Sequence, residues 1–159
     1  MQYAELTVGC VKIGFLGAVS GPWDDENNPV AGDYYKEFPT DLDFVKVHRD
    51  IIAAHRKDVD VLVAVSHLGV SDDVLVAGKA PGVDVILGGH SHTAMFQPEV
   101  VGQTLVVQAG SYGGFVARLD LEIDLVNKGI KSHAYTLSPV TAALASSDVS
   151  EQKVEAILG

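Results

Sequence analysis

Cysteine is almost absent: Cys10 is the single one in 159 residues, so no intrachain disulfide can staple the fold. Its apolar surroundings, Val8, Val11 and Ile13, predict a buried and unreactive thiol. Basic residues are scarce too. Eleven Lys and Arg stand against 21 Asp and Glu, a formal charge of −10, and a surface of that sign repels nucleic-acid polymers and anionic membranes. No apolar run approaches the roughly 20 residues that a membrane-spanning helix needs. The opening MQYAELTVGCVKIGF lacks a basic segment, a long apolar stretch and a small-residue cleavage site, so it does not read as a signal peptide. Internal repeats and low-complexity tracts are missing as well.

What is present is enough apolar material, 47% of the chain, for the core of one compact domain. Val11–Val19 is a short apolar, β-branched run that predicts a strand buried on both faces. A loop of about twenty residues follows, rich in turn formers such as Gly21-Pro22, Asn27-Asn28-Pro29 and Gly32-Asp33. Trp23, Tyr34 and Tyr35 in that loop have two readings, stacking on a base or packing on another part of the protein, and packing is preferred. Thr40 or Asp41 would cap an amphipathic helix running to Lys57. A second apolar run, 59–66, ends in His67-Leu68-Gly69. A short helix over 71–80, started by Ser71 and two aspartates, leads to a third buried strand at 83–87 and then to Gly88-Gly89-His90-Ser91-His92. This alternation predicts an α/β fold with a parallel sheet. Strands at 105–108, 116–123 and 130–137, separated by turns, predict antiparallel hairpins closing the sheet. A weak helix is expected at 150–158.

The chemistry is expected beyond the carboxyl ends of the parallel strands, where open α/β sheets bind ligands. His67 ends one strand, and His90 and His92 end the next. A lone histidine at a strand end is more often a capping or core residue than a ligand. Two histidines flanking a serine after a double glycine are hard to explain by packing, because that backbone can bend until both imidazoles face one point. Neutral imidazole is a good ligand for zinc, iron, manganese or nickel. His48, His55 and His133 read instead as surface or internally satisfied histidines.

The strings Val-Ala-Val-Ser-His-Leu-Gly (63–69), Pro-Gly-Val-Asp-Val-Ile-Leu-Gly-Gly-His-Ser-His-Thr (81–93), Val-Gln-Ala-Gly-Ser-Tyr-Gly (107–113) and Ala-Arg-Leu-Asp-Leu-Glu-Ile-Asp (117–124) together resemble one family. It is the 5′-nucleotidase branch of the calcineurin-like metallophosphoesterases, and the likeness is to the C-terminal half of its catalytic domain. The resemblance implies half of a four-layer α/β/β/α domain, with residues 1–140 in that half and 141–159 starting a linker or terminal helix. It also implies two divalent ions (Mn, Zn, Fe, Co or Ni) bridged by an aspartate and a water or hydroxide. His67 and His90 would serve one ion and His92 the other, and Gln108, Gly110 and Ser111 would sit close by as substrate-binding or supporting residues. Hydroxide activated by the metals would displace the alcohol of a phosphate monoester.

The aspartate, asparagine and histidine motifs of the family's first half have no counterpart here, and Gly32-Asp33 reads as a loop turn. One ion or none is therefore expected in this chain alone. The carboxylate ligands would come from an N-terminal half or a second chain, and no catalytic side chain is assigned. Two functions remain in play. One is a metal-dependent hydrolase segment acting on nucleotides or related phosphate-ester small molecules; the other is a non-catalytic metal-binding or protein-interaction module. A half-domain would expose apolar surface and favour homo-oligomers. Periplasmic or extracellular placement is common in the family, and these residues leave the compartment open.

Overall fold

The computed structural model describes residues 3–19 and 44–141. The long loop with Trp23, Tyr34, Tyr35 and Gly32-Asp33, the caps at Thr40 or Asp41, and the helix at 150–158 lie outside those residues. Among the described residues the order is β1 (Tyr3–Val8), β2 (Val11–Val19), α1 (Phe44–His55), β3 (Val61–His67), α2 (Val70–Lys79), β4 (Val85–Leu87), β5 (Glu99–Val101), β6 (Thr104–Val107), β7 (Phe115–Ile123) and β8 (Ile130–Pro139). A 3-10 turn, Arg56–Asp58, tightens the end of α1. No described helix is long and apolar enough to cross a membrane.

Six strands form one sheet in the order β1-β2-β3-β4-β6-β5. The central pairs β2/β3, β3/β4 and β4/β6 are parallel, and the two edge strands run antiparallel to their neighbours. Side chains alternate between faces along each strand, so one strand feeds two cores. Leu16, Leu62, Ala64, Ile86 and Val106 point to the helices, where Ile51, Ile52 and Ala77 meet them. Val61, Val63 and Val85 point the other way, onto Leu119, Leu121, Ile123 and Ile130 of the β7/β8 hairpin. Helices, main sheet and hairpin therefore stack as α/β/β.

The parallel α/β core predicted from the apolar runs is present, and the departures have physical causes. β6 lies in an antiparallel hairpin with β5, as expected, and in addition joins β4 in parallel; all four of its residues are buried, as suits a strand covered on both faces. The last hairpin, β7/β8, forms its own two-stranded sheet and is not hydrogen-bonded into the larger one. Its alternating burial marks a strand with one wet face. β1 and β5 were not anticipated: β1 has almost no buried residue and β5 has three residues, too little apolar pattern to register. Cys10 is exposed, not buried. It sits in the two-residue turn joining β1 to β2, where Val8 faces Val11 and Gly9 takes φ 60°, so the side chain is carried out on the hairpin tip.

Asp84 ties the amino ends of the strands together. Its Oδ2 accepts from Leu62 N at 2.7 Å and its Oδ1 lies 3.4 Å from the Arg56 guanidinium. Burial raises its pKa, opposed by the Leu62 amide and Arg56. Toward the carboxyl ends the hairpin face loses its cover. Val65 is 50% exposed, Val19 43% and Leu87 40%, although alternation puts them on the same face as Val61 and Val63.

This difference in cover predicts unequal mutational costs. Leu62→Ala, at 0% exposure, should cost about 2–5 kcal/mol, whereas Val65→Ala should cost less than about 1 kcal/mol. Urea unfolding of the two variants measures both.

Candidate metal centre

Two loops at the carboxyl ends of β3 and β4 interlock. Gly89 lies so close to β3 that a Cβ there would sit 2.9 Å from His67 Nδ1 and 3.3 Å from the Ser66 carbonyl oxygen. In the other direction, Ser91 Oγ accepts from Val70 N at 3.2 Å. That bond satisfies a free amide at the start of α2, whose N-cap is Gly69 with no side-chain cap. Ser71, expected to cap this helix, lies inside its first turn; a neighbouring loop does the capping work instead.

The interlock brings His67 and His90 together. Their rings meet edge-on with centroids 5.2 Å apart and planes at 70°, and both residues are exposed. His92 is also exposed and packs edge-on against Tyr112 at 5.0 Å. Tyr112 itself is 94% exposed. His90 and His92 hold φ 72° and 56°, a left-handed conformation that costs a non-glycine residue of order 1–3 kcal/mol and gathers at functional sites.

Gln108 holds that strained loop. It is buried, its Oε1 accepts from Thr93 N at 2.6 Å, and its Nε2 donates to the Gly89 carbonyl at 2.8 Å. The backbone adds Met95 N to Gln108 O at 3.1 Å and Gly110 N to Thr93 O at 3.0 Å. The carbonyl of Ser111 accepts from Gly114 N in the next turn. Gln108 and Gly110 thus border the histidine loop, and Ser111 lies one residue beyond. His48 is buried in α1, His55 stacks on Tyr3 with centroids 3.8 Å apart, and His133 is exposed on β8.

The donor set fits one side of a divalent-metal site. Imidazole nitrogens suit Mn, Fe, Co, Ni or Zn, and His67 and His90 offer two of them at one place. No carboxylate joins them: among the described residues no group of three or more His, Cys, Asp or Glu is arranged to hold an ion. A cleft of about 840 Å³ lies elsewhere, at the amino ends of β4 and β6 beside Asp84, Thr104 and Lys128.

Asp73 was not anticipated as a site residue. It is 1% exposed on α2, accepts a hydrogen bond from Ser66 Oγ through Oδ1, and has no partner at Oδ2. Its spacing from Val76 and Ala77 (i, i+3, i+4) was the available signal, because it puts an aspartate on the helix's inner face. Burial pushes its pKa from 3.8 up to about 6; Asp72 adds to the rise and the Ser66 hydroxyl opposes it.

No family model matches the chain. It is 33% identical over 93 residues to the uncharacterized metallophosphoesterase YunD of Bacillus subtilis, covering 58% of this chain and 20% of that one. It is 27% identical over 150 residues to the snake venom 5′-nucleotidase of Naja atra, covering 83% and 27%. Among solved structures, the sulfate thiohydrolase SoxB of Thermus thermophilus superposes with TM-score 0.80 at 27% identity, over 98% of this chain and 28% of that one. A 5′-nucleotidase precursor from the same organism gives TM-score 0.75, also at 27% identity, over 98% and 33%. The chain spans a third or less of the length of each of these proteins.

Two outcomes follow for this region. Gln108→Glu replaces a donor to the Gly89 carbonyl with an acceptor and should cost about 1–3 kcal/mol, read as a lower midpoint in urea unfolding. For Asp73 the folded chain binds more protons than the unfolded one between pH 3.8 and about 6. The stability this group contributes is therefore present below that window and lost as pH rises through it. Denaturant titrations across the window should show a shallower decline in Asp73→Asn than in the unsubstituted chain.

Proposed function

Because the chain belongs to the calcineurin-like metallophosphoesterases of the 5′-nucleotidase type and matches the C-terminal half of their catalytic domain, we propose that it supplies the histidine side of a metal-dependent phosphoester hydrolase site. The observation that carries this reading is the meeting of His67 and His90 at neighbouring strand tips. His67 and His90 would hold one divalent ion, and His92 would serve a second. Bound ions of this kind supply Lewis-acid activation of water and neutralise charge on a phosphoryl group. The chain's own part is to orient: Gln108 fixes the His90–His92 loop, and the close approach at Gly89 keeps the two imidazoles at a set separation.

The substrate is proposed to be a nucleotide or related phosphate monoester, in keeping with the 5′-nucleotidases among its relatives. The carboxylate ligands would come from an N-terminal half on the same or another polypeptide. The uncovered strip of Val19, Val65 and Leu87 supports that reading, because it continues the inner face toward His67 and gives apolar surface for such a half to cover. On this reading residues 1–140 would form the C-terminal half of that domain and 141–159 the start of a linker or terminal helix.

Two measurements check this. Calorimetric titration with Mn²⁺ or Co²⁺ should show His67→Ala and His90→Ala each weakening binding by about tenfold or more, with unchanged affinity counting against ligation. Hydrolysis of nucleoside monophosphates should need co-expression of an N-terminal half carrying aspartate motifs. Turnover by the chain alone would show that it is complete in itself.

A further inference from the structure

The strand tips that carry His67 and His90 share a buried side chain from a third element. Asp73 rises from the first turn of α2, and its helix is seated in the core through Val76 and Ala77. Its Oδ1 takes the hydroxyl of Ser66, the residue before His67. The same Ser66 oxygen accepts from Leu68 N at 3.2 Å, so the residues on both sides of His67 are tied to one hydroxyl. The other carboxyl oxygen is pressed against β4's exit, where a Cβ on Gly88 would lie 2.5 Å from Asp73 Oδ2. Gly88 in turn donates its amide to the Val107 carbonyl at 2.8 Å.

A buried carboxyl with one unpartnered oxygen is costly. Apolar packing gives no reason for it, because leucine on this inner face would bury more apolar surface beside Val76 and Ala77; what leucine would lose is the acceptor of the Ser66 hydroxyl. Bridging the two tips does give a reason. One oxygen grips β3 beside its histidine while the other bears on β4 two residues before His90.

We propose that Asp73 is a positioning residue that sets the spacing of the His67 and His90 loops, acting through Ser66 on one side and Gly88 on the other. The inference deepens the metal-site reading and rests on it for its purpose. Its geometric content, however, belongs to the metal-free chain. Polar groups behind ligating histidines typically change metal affinity by about 10–100-fold when removed.

The experiment compares the unsubstituted chain with Asp73→Asn, Asp73→Leu and Ser66→Ala. The first readout is the nuclear Overhauser contact between the His67 and His90 rings without metal; the second is Co²⁺ affinity by titration. Amide shifts of Val63 and Val85 report whether the core is intact. Asp73→Asn retains an acceptor for Ser66 and should keep the ring contact, with Co²⁺ affinity within about threefold. Asp73→Leu and Ser66→Ala should lose the ring contact with the core shifts in place, and Co²⁺ should bind about tenfold more weakly. Should Asp73→Leu fail to fold, Ser66→Ala and Asp73→Asn decide the matter by the same criteria. Ring contact retained in Ser66→Ala, or lost in Asp73→Asn, overturns the proposal. If the unsubstituted chain binds no Co²⁺ yet the ring contact follows the expected pattern, the metal reading fails and the positioning role stands.

Discussion

The close approach of two backbone loops, where β3 and β4 leave the sheet, is the constraint on which the histidine arrangement depends. Gly89 admits the His67 ring and the Ser66 carbonyl at distances that a Cβ would forbid. Ser91 then reaches back to the first amide of α2. The first is a close steric fit and the second a hydrogen bond, so the pair holds a spacing that neither loop would keep alone. Without that approach His67 and His90 would be two unrelated imidazoles on separate strands.

Layering decides which way this corner faces. Strict alternation along β3 sends Leu62 and Ala64 to the helices and Val61 and Val63 to the hairpin. It also puts His67 on the hairpin side, in line with Val65. The hairpin covers the amino end of that face and leaves Val65, Leu87 and Val19 uncovered next to the histidines. The exposed apolar strip therefore runs up to the strand tips where His67 and His90 meet.

Polar atoms buried behind the site hold it in place. Gln108 spends both ends of its amide on the 89–93 backbone and so maintains His90 and His92 in a left-handed conformation that they would not adopt unaided. Asp73 does comparable work between the strand tips, and its unpaired oxygen is a cost that the packing of α2 alone does not explain. The amino ends of the strands are secured separately by Asp84 and Arg56.

Local pattern made much of this readable in advance. Runs of Val, Ile and Leu announced β2, β3 and β4, because a strand buried on both faces must be apolar throughout. Gly88-Gly89-His90-Ser91-His92 announced a bent loop carrying imidazoles, since two histidines flanking a serine after a double glycine are hard to explain by packing. Other features were invisible because their causes lie far off in the chain. The parallel placement of β6, the exposure of Cys10 on a turn, and the start of α2 without its own cap each follow from a neighbour that the local residues do not reveal. The sequence by itself determined which strands end in histidine, at His67 and at His90 and His92. Only the tertiary structure decided that His67 and His90 meet, that His92 packs on Tyr112, and that Asp73 lies beneath the pair. Those spacings are set by van der Waals contact and hydrogen bonding between segments distant in the chain.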